Sequence, residues 1–173
     1  MTTPPEVPGG WIRLLVRSKL AVGRDFRVLD PDTDEQRYLV DGKLSLLGAK
    51  AEVHDAAGRV LLRLASQPLD LAKRFTITGP GGEPVAEIRG KRFSPIRERM
   101  TLTTATGATW EVAGSLLEKD YAVTAPTGPV ARISQKWLAL RDTYAVDVAA
   151  GTDPALVLAV LWCVDHWVEQ RDR

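Results

Sequence analysis

The chain has 173 residues, of which 45% are hydrophobic and 26% are charged, with 23 Lys and Arg against 22 Asp and Glu. These values are typical of one soluble globular domain that is long enough to bury a core without disulfides. The formal charge of +1 gives no overall attraction for nucleic acid or for an anionic membrane. The single cysteine excludes a disulfide framework and a multi-cysteine zinc site, and we expect no metal and no cofactor.

The ends of the chain carry no recognisable targeting signal. Residues 1–10 are rich in proline and glycine and lack the basic and apolar regions of a signal peptide. We expect residues 1–10 to form a flexible tail and residues 11–173 to form a single domain. No run reaches the roughly 20 apolar residues of a transmembrane helix. These features predict a cytoplasmic protein, and peripheral association with a membrane stays open.

Hydrophobic and polar residues alternate from Trp11 to Val148, and turn residues interrupt the alternation every 8–12 positions. This spacing is typical of an all-β sandwich or barrel. It predicts 12 strands, at residues 12–17, 26–30, 38–42, 51–55, 59–64, 75–78, 84–89, 100–104, 109–113, 121–124, 130–135 and 143–148.

The last segment predicts a helix over residues 153–169. Asp153 suits the N-cap and Pro154 the first helical position. Residues 155–164 carry no polar side chain, and a helix that is apolar on every side is typically buried. A membrane anchor is the alternative. We predict a closed antiparallel barrel of about 12 strands around this central hydrophobic helix. Such a helix fills the lumen, so binding is expected at the outer surface or the rim loops.

An internal repeat supports a barrel of similar hairpins. Val85-Ala-Glu-Ile88 recurs 45 residues later as Val130-Ala-Arg-Ile133, and Lys91 recurs as Lys136. Residues 61–64 and 75–77 form a weaker third copy. Repeats of this length also occur in solenoids and propellers, but three imperfect copies are too few for a propeller.

Several segments together resemble a known family. They are Leu15-Val-Arg-Ser-Lys19, Phe26-Arg-Val-Leu-Asp30, Tyr38-Leu-Val-Asp-Gly-Lys43, His54-Asp-Ala-Ala-Gly58, Val130-Ala-Arg-Ile-Ser-Gln-Lys136 and Tyr144-Ala-Val-Asp-Val148. In this order, with the closing apolar helix, the chain resembles the LURP-one-related family of the tubby-like superfamily, to which phospholipid scramblases are more distantly related. The resemblance covers nearly the whole chain beyond residue 10.

The resemblance implies a β-barrel around a central C-terminal helix. It also suggests phospholipid binding without catalysis, because tubby domains bind phosphoinositides. Scramblase-like proteins are expected to carry a longer, membrane-embedding helix and palmitoylatable cysteines, whereas this helix is short and holds Cys163 in its apolar middle. No motif here matches the lipid-contacting basic residues of tubby, so no family binding site is carried over.

A cluster of basic residues is the one local anomaly in the sequence. Its members are Arg89, Lys91, Arg92, Arg97 and Arg99, with Glu98 as the only acid among them. If Ala86 and Ile88 point into the barrel, alternation places Arg89 and Lys91 together on the outside. Such a patch can hold a lipid phosphate through charge-assisted hydrogen bonds. The alternative is a solvated face paired with nearby carboxylates. Lys136 and Arg141, at repeat-related positions, are hypothetical second contributors.

Other candidates favour structural roles. Carboxylates at Asp30, Asp32 and Asp34 resemble the start of a calcium loop, but Glu35 and Asp41 occupy positions where an EF-hand needs glycine and glutamate. Asp55, next to His54, is explained by an Asx-type turn. His166 lies near the end of the helix, where a cation complements the dipole, and Cys163 is interpreted as a small buried hydrophobe.

Two hypotheses about function remain, with an enzyme as a distant third. In the first, the protein is a non-enzymatic module that binds anionic phospholipid headgroups or a protein partner at its outer surface. In the second, it is a structural scaffold for another protein and the basic cluster is incidental. Salt dependence separates the two, because headgroup binding by arginine and lysine weakens with ionic strength.

Overall fold

The computed structural model of the protein describes residues 6–19, 25–45, 48–66, 74–91, 97–115, 120–135 and 143–171. Within these ranges the chain forms twelve strands and one helix, and the ends of the strands lie within three residues of the predicted ones. The strands are β1 (Ile12–Lys19), β2 (Asp25–Leu29), β3 (Gln36–Ser45), β4 (Gly48–Asp55), β5 (Val60–Ser66), β6 (Arg74–Thr78), β7 (Pro84–Lys91), β8 (Arg97–Thr104), β9 (Thr109–Ser115), β10 (Asp120–Ala125), β11 (Gly128–Ser134) and β12 (Thr143–Val148).

The twelve strands form a closed barrel. Each strand pairs antiparallel with its neighbour in the chain, and β1 pairs with β12 to complete the circle. At this closure Ile12 lies opposite Val148, and Arg17 lies opposite Thr143. The predicted closed antiparallel barrel is therefore confirmed. Closure pairs every strand on both sides, which removes the exposed edges that an open sheet would present.

The alternation in the sequence becomes the two faces of this barrel, because successive side chains of a strand point to opposite sides. In β4, Ala49, Ala51 and Val53 are buried, whereas Lys50 between them is exposed. The repeated segments behave alike, since Ile88 of β7 and Ile133 of β11 are both fully buried. The repeat is thus a pair of similar hairpins in one barrel, while Lys136 and Arg141 lie outside the described residues.

The helix α1 (Pro154–Arg171) occupies the interior of the barrel. It begins as predicted, because Asp153 Oδ1 accepts a hydrogen bond of 3.0 Å from the backbone amide of Ala155. Every side chain over residues 155–164 is at most 6% exposed. The helix ends two residues beyond the predicted position 169. The prediction of a buried central helix is confirmed, and among the described residues no helix has both the length and the apolar character needed to cross a bilayer.

Contacts near the C-terminal half of α1 attach the helix to the wall. Tyr144 of β12 donates a hydrogen bond of 2.9 Å to Asp165 Oδ1. The His166 ring stacks on Trp162 with centroids 5.4 Å apart, and Phe75 of β6 meets both rings edge-on. His166 is therefore buried in an aromatic cluster, and α1 continues for five residues beyond it. These edge-to-face contacts favour one rotation of the helix in the barrel.

One part of the outer surface departs from the alternation. In β12 every residue is buried, including Asp147 on the outward side. Asp147 accepts two hydrogen bonds from the Arg13 guanidinium, at 2.7 and 2.9 Å, and lies 3.4 Å from Arg132. The hydrogen bond with Asp147 raises the pKa of Arg13. This buried ion cluster joins β1, β12 and β11 across the closure of the barrel.

Candidate functional site

Two adjacent strands, β7 and β8, carry most of the basic cluster, and β6 lies beside β7. In β7 Ala86 and Ile88 are buried and Arg89 is exposed, as the alternation predicts. In β8, which lies between β7 and β9, Met100 and Leu102 are buried, whereas the side chain of Arg99 is 71% exposed. The strands therefore direct Arg89 and Arg99 to the same outer surface of the barrel.

The register of these strands places like charges opposite each other. Arg74 of β6 is the partner of Arg89 in β7, and Lys91 of β7 is the partner of Arg99 in β8. Arg97 lies two residues before Arg99 and opposite Ser115 of β9. We call the positions of Arg74, Arg89, Lys91, Arg97 and Arg99 the basic face. Each of these two pairs forms a row of like charges across neighbouring strands. Like charges that lie directly opposite each other repel, and a nearby anion reduces that repulsion.

Two carboxylates lie on the same surface. Arg89 forms an ion pair with Glu87, and Arg99 lies 3.7 Å from Glu111. Exposed pairs of this kind contribute only about 0–1 kcal/mol, because solvent screens the charges. A guanidinium has five N–H donors, so each arginine keeps donors for a further acceptor. The carboxylates therefore reduce the charge of the basic face but use only part of its hydrogen-bonding capacity.

A shallow groove of about 730 Å³ lies beside Arg89 on this surface. Threonine side chains of β6 and β8 and the Glu87–Arg89 pair line it, together with residues of the adjoining turns. Hydroxyl groups donate and accept hydrogen bonds, so the groove is suited to a polar, hydroxylated group next to the charged arginines.

The structure brings together only some of the predicted residues. Arg89 and Arg99 share the basic face as described, whereas Arg92 lies outside the described residues. Lys91 and Arg97 are placed by backbone register alone. Sequence reasoning missed Arg74, which precedes Arg89 by fifteen residues and becomes its neighbour through the pairing of β6 with β7. The signal available in the sequence was that Arg74 precedes Phe75 at the start of a predicted strand.

The acidic segment between β2 and β3 is a hairpin loop. Asp30 Oδ1 accepts hydrogen bonds from the backbone amides of Asp32 and Thr33, at 2.9 and 3.1 Å. These bonds lower the pKa of Asp30, and the bond from Asp32 lowers it most. Asp34 in the same loop has φ +60°, which aspartate tolerates better than most residues. The described residues contain no group of three or more potential metal ligands.

The residues at His54 and Asp55 form the turn between β4 and β5. Asp55 Oδ1 accepts hydrogen bonds of 2.9 Å from the backbone amides of Ala57 and Arg59, which confirms the predicted Asx-type turn. The bond from Arg59 contributes most to the lowered pKa of Asp55. Gly58 has φ +82°, a conformation that glycine adopts without strain. His54 Nδ1 lies 3.2 Å from the carbonyl oxygen of Gly58, so His54 and Asp55 both have structural roles in this turn.

Comparisons with known proteins agree with this architecture. The sequence model of the LURP-one-related family matches residues 12–165. The chain belongs to the LURP-one-related family. The Bacillus subtilis (strain 168) protein YxjI, described as uncharacterized, is 24% identical over 155 residues, which are 89% of this chain and 92% of that protein.

A solved structure shows the same fold as this LURP-one-related chain. It is a protein of Arabidopsis thaliana, which superposes with a TM-score of 0.64 at 18% identity. The superposition covers 94% of this chain and 93% of the plant protein. The family and the fold that the sequence resemblance implied are thus both confirmed.

Proposed function

We propose that this LURP-one-related protein is a non-enzymatic module that binds anionic phospholipid headgroups through its basic face, at the cytoplasmic surface of a membrane. The observation that carries the proposal is the register of β6, β7 and β8, which sets Arg74 opposite Arg89 and Lys91 opposite Arg99. A phosphate bound over these positions would accept charge-assisted hydrogen bonds from Arg89 and Arg99. Arginine binds phosphate oxygens in a two-pronged geometry, which makes these contacts stronger than neutral hydrogen bonds.

Within the described part of the barrel, two other pairs of basic residues lie opposite each other on neighbouring strands. Arg17 lies opposite Arg27 on β1 and β2, and Lys43 lies opposite Lys50 on β3 and β4. Arg17 also has the carboxylate of Asp34 at 3.9 Å. The basic face differs because its two rows lie on three consecutive strands. The Arg17 and Arg27 pair therefore provides a matched control for charge reversal.

Three described groups have pKa shifts unlike those of an acid–base catalyst. Hydrogen bonds from backbone amides lower the pKa of Asp30 and Asp55, and burial raises the pKa of Tyr38. Each shift moves the group further from neutral pH. A general acid or base works best with a pKa near the operating pH, so these shifts are opposite to those that catalysis requires.

A protein-interaction scaffold is the second candidate. The observation that favours it is the neighbourhood of Glu87 and Glu111, which balance Arg89 and Arg99 and would make the basic face incidental. A scaffold that recognises its partner through apolar contacts would show little dependence on salt.

Co-sedimentation with vesicles tests the proposal. Vesicles of phosphatidylcholine, alone and with phosphatidylserine or a phosphoinositide, are compared from about 0.1 M salt, where the Debye length is about 10 Å, to about 1 M, where it is about 3 Å. We expect binding only to the acidic vesicles, lost at high salt. The double variant Arg89→Glu, Arg99→Glu should weaken it at least tenfold, since each basic residue near an anionic surface contributes about 1 kcal/mol.

The control is the double variant Arg17→Glu, Arg27→Glu, which makes the same change of charge elsewhere. Both pairs are exposed, so both variants should fold. Equal loss in the two variants would reduce the interaction to net charge and overturn the proposal. Absence of binding at low salt would also overturn it and would direct attention to the scaffold.

A further inference from the structure

A second cavity lies away from the basic face, at one rim of the barrel. Its volume is about 1060 Å³, which is the size of pockets that hold small organic ligands. The start of β1, the β2–β3 loop and the β4–β5 turn surround it. Tyr38 lines the cavity. Burial raises the pKa of Tyr38 most, and the negative charge of Asp153 raises it next. Because Tyr38 lies near Asp153, the cavity is at the end of the barrel where α1 begins.

One wall of this rim cavity is apolar. Val7, Trp11, Ile12 and Leu15 contribute to it, with small alanine side chains beside them. Ile12 is 48% exposed and is the only large hydrophobic residue among those described that is exposed to this degree. Removing such a surface from water stabilises a bound apolar group by about 25 cal/mol per Å². The wall is therefore suited to a hydrocarbon chain or a ring.

Two carboxylates in the lining, Asp30 and Asp55, hold the loops to which they belong. Asp30 Oδ1 accepts two backbone amides of its own loop. Asp55 accepts two backbone amides through Oδ1 and Arg59 Nε through Oδ2, the last at 2.8 Å. These two aspartates shape the loops to which they belong.

Two arginines in the lining keep unused donors. Arg37 has the Asp30 carboxylate at 3.6 Å, beyond hydrogen-bond distance, and Arg59 is 80% exposed and bonds Asp55 through Nε. Each guanidinium thus has at least two terminal N–H groups without a hydrogen-bond partner among the described residues. Arg13 differs, because Asp147 holds it in two hydrogen bonds. Arg37 and Arg59 therefore offer hydrogen-bond donors to a bound molecule.

We infer that the rim cavity binds an amphiphilic anion, a carboxylate or phosphate monoester attached to an apolar chain or ring. Arg37 and Arg59 bind the anionic group, and Trp11, Ile12 and Leu15 contact the apolar part. The formal charges of the lining cancel, with Arg13, Arg37 and Arg59 against Asp30, Asp32 and Asp55. Donor capacity, rather than net charge, selects the ligand, so this binding should depend less on salt than binding at the basic face. The inference is independent of the proposed function.

Isothermal titration calorimetry with octanoate, octyl phosphate and octanol tests the inference. We expect saturable binding of both anions and at least tenfold weaker binding of octanol. The double variant Arg37→Gln, Arg59→Gln should weaken the anions at least tenfold, since a hydrogen bond to a charged group contributes about 1.5–3 kcal/mol. The control Arg17→Gln, Arg27→Gln removes two exposed arginines that do not line the cavity and should bind normally. Thermal melting of each variant verifies that it folds.

Vesicles containing phosphatidic acid, tested with the Arg89→Glu, Arg99→Glu protein, distinguish a membrane source of the anion from a free acid. If vesicle binding depends on Arg37 and Arg59, the inference is supported and the ligand is a bilayer lipid. If only the free anions bind, the inference is supported and the ligand is a soluble acid. Equal affinity for octanol and octanoate would overturn it. Unchanged binding in the Arg37→Gln, Arg59→Gln variant would also overturn it. So would the absence of binding to both the free anions and the vesicles.

Discussion

Replacing Asp147 by asparagine should destabilise the barrel more than any other single charge removal on its described outer surface. The Asp147 side chain is 2% exposed, and it accepts hydrogen bonds of 2.7 and 2.9 Å from Arg13, which is 15% exposed. Asparagine keeps the size of the side chain but removes its charge. The variant removes the negative charge that accepts these two hydrogen bonds from the largely buried Arg13 guanidinium.

The structure sets the expected magnitude. Removing one partner of a buried, hydrogen-bonded ion pair costs about 3–5 kcal/mol. Arg132 adds less than about 1 kcal/mol, because it is 37% exposed and 3.4 Å away. For a chain of this length each kcal/mol lowers the melting temperature by about 2–4 °C. Asp147→Asn should therefore melt roughly 6–20 °C below the parent protein.

Guanidinium chloride denaturation, followed by far-UV circular dichroism, measures the change in the free energy of unfolding. Glu111→Gln is the matched control, because its carboxylate is 56% exposed and lies 3.7 Å from Arg99. That variant should lose less than about 1 kcal/mol. The reasoning would be refuted by a loss below about 1 kcal/mol in Asp147→Asn, or by equal losses in the two variants. A double change of Arg13 to methionine and Asp147 to leucine should recover much of the loss, since apolar replacement of a buried pair is often neutral.

Two further predictions concern close packing. Gly114→Ala should destabilise by about 1–3 kcal/mol in the same denaturation assay, because a Cβ would lie 2.1 Å from the Asp120 carbonyl oxygen and 2.8 Å from Tyr121 Cα. Gly9→Ala, with nothing within 4 Å, is its control, and equal stability of the two variants would contradict the packing argument. Cys163, the single cysteine, is buried in α1, and burial raises the pKa of its thiol. A thiol reagent should label it only at the rate of unfolding, so rapid labelling of the native protein would count against the buried central helix.

Local patterns in the sequence were sufficient for the elements of the fold. A period of two marks each strand because neighbouring side chains face opposite sides, and glycines such as Gly58 mark turns that need a positive φ. Asp153 and Pro154 marked the start of α1, since an N-cap and a first-turn proline act through the next few residues only. The apolar run after them implied burial on all sides, and a barrel is the arrangement that provides it.

The candidate sites required contacts between distant parts of the chain. Arg13 and Asp147 are separated by 134 positions, and their pairing exists only because β1 closes on β12. Arg74 joined the basic face through the register of β6 with β7, and a shift of one residue would have turned it to the other side. The rim cavity combines the start of β1 with two loops that lie far from it and from each other in the sequence. Spacing along the chain determined the strands and the helix, while strand register and barrel closure determined which charges meet.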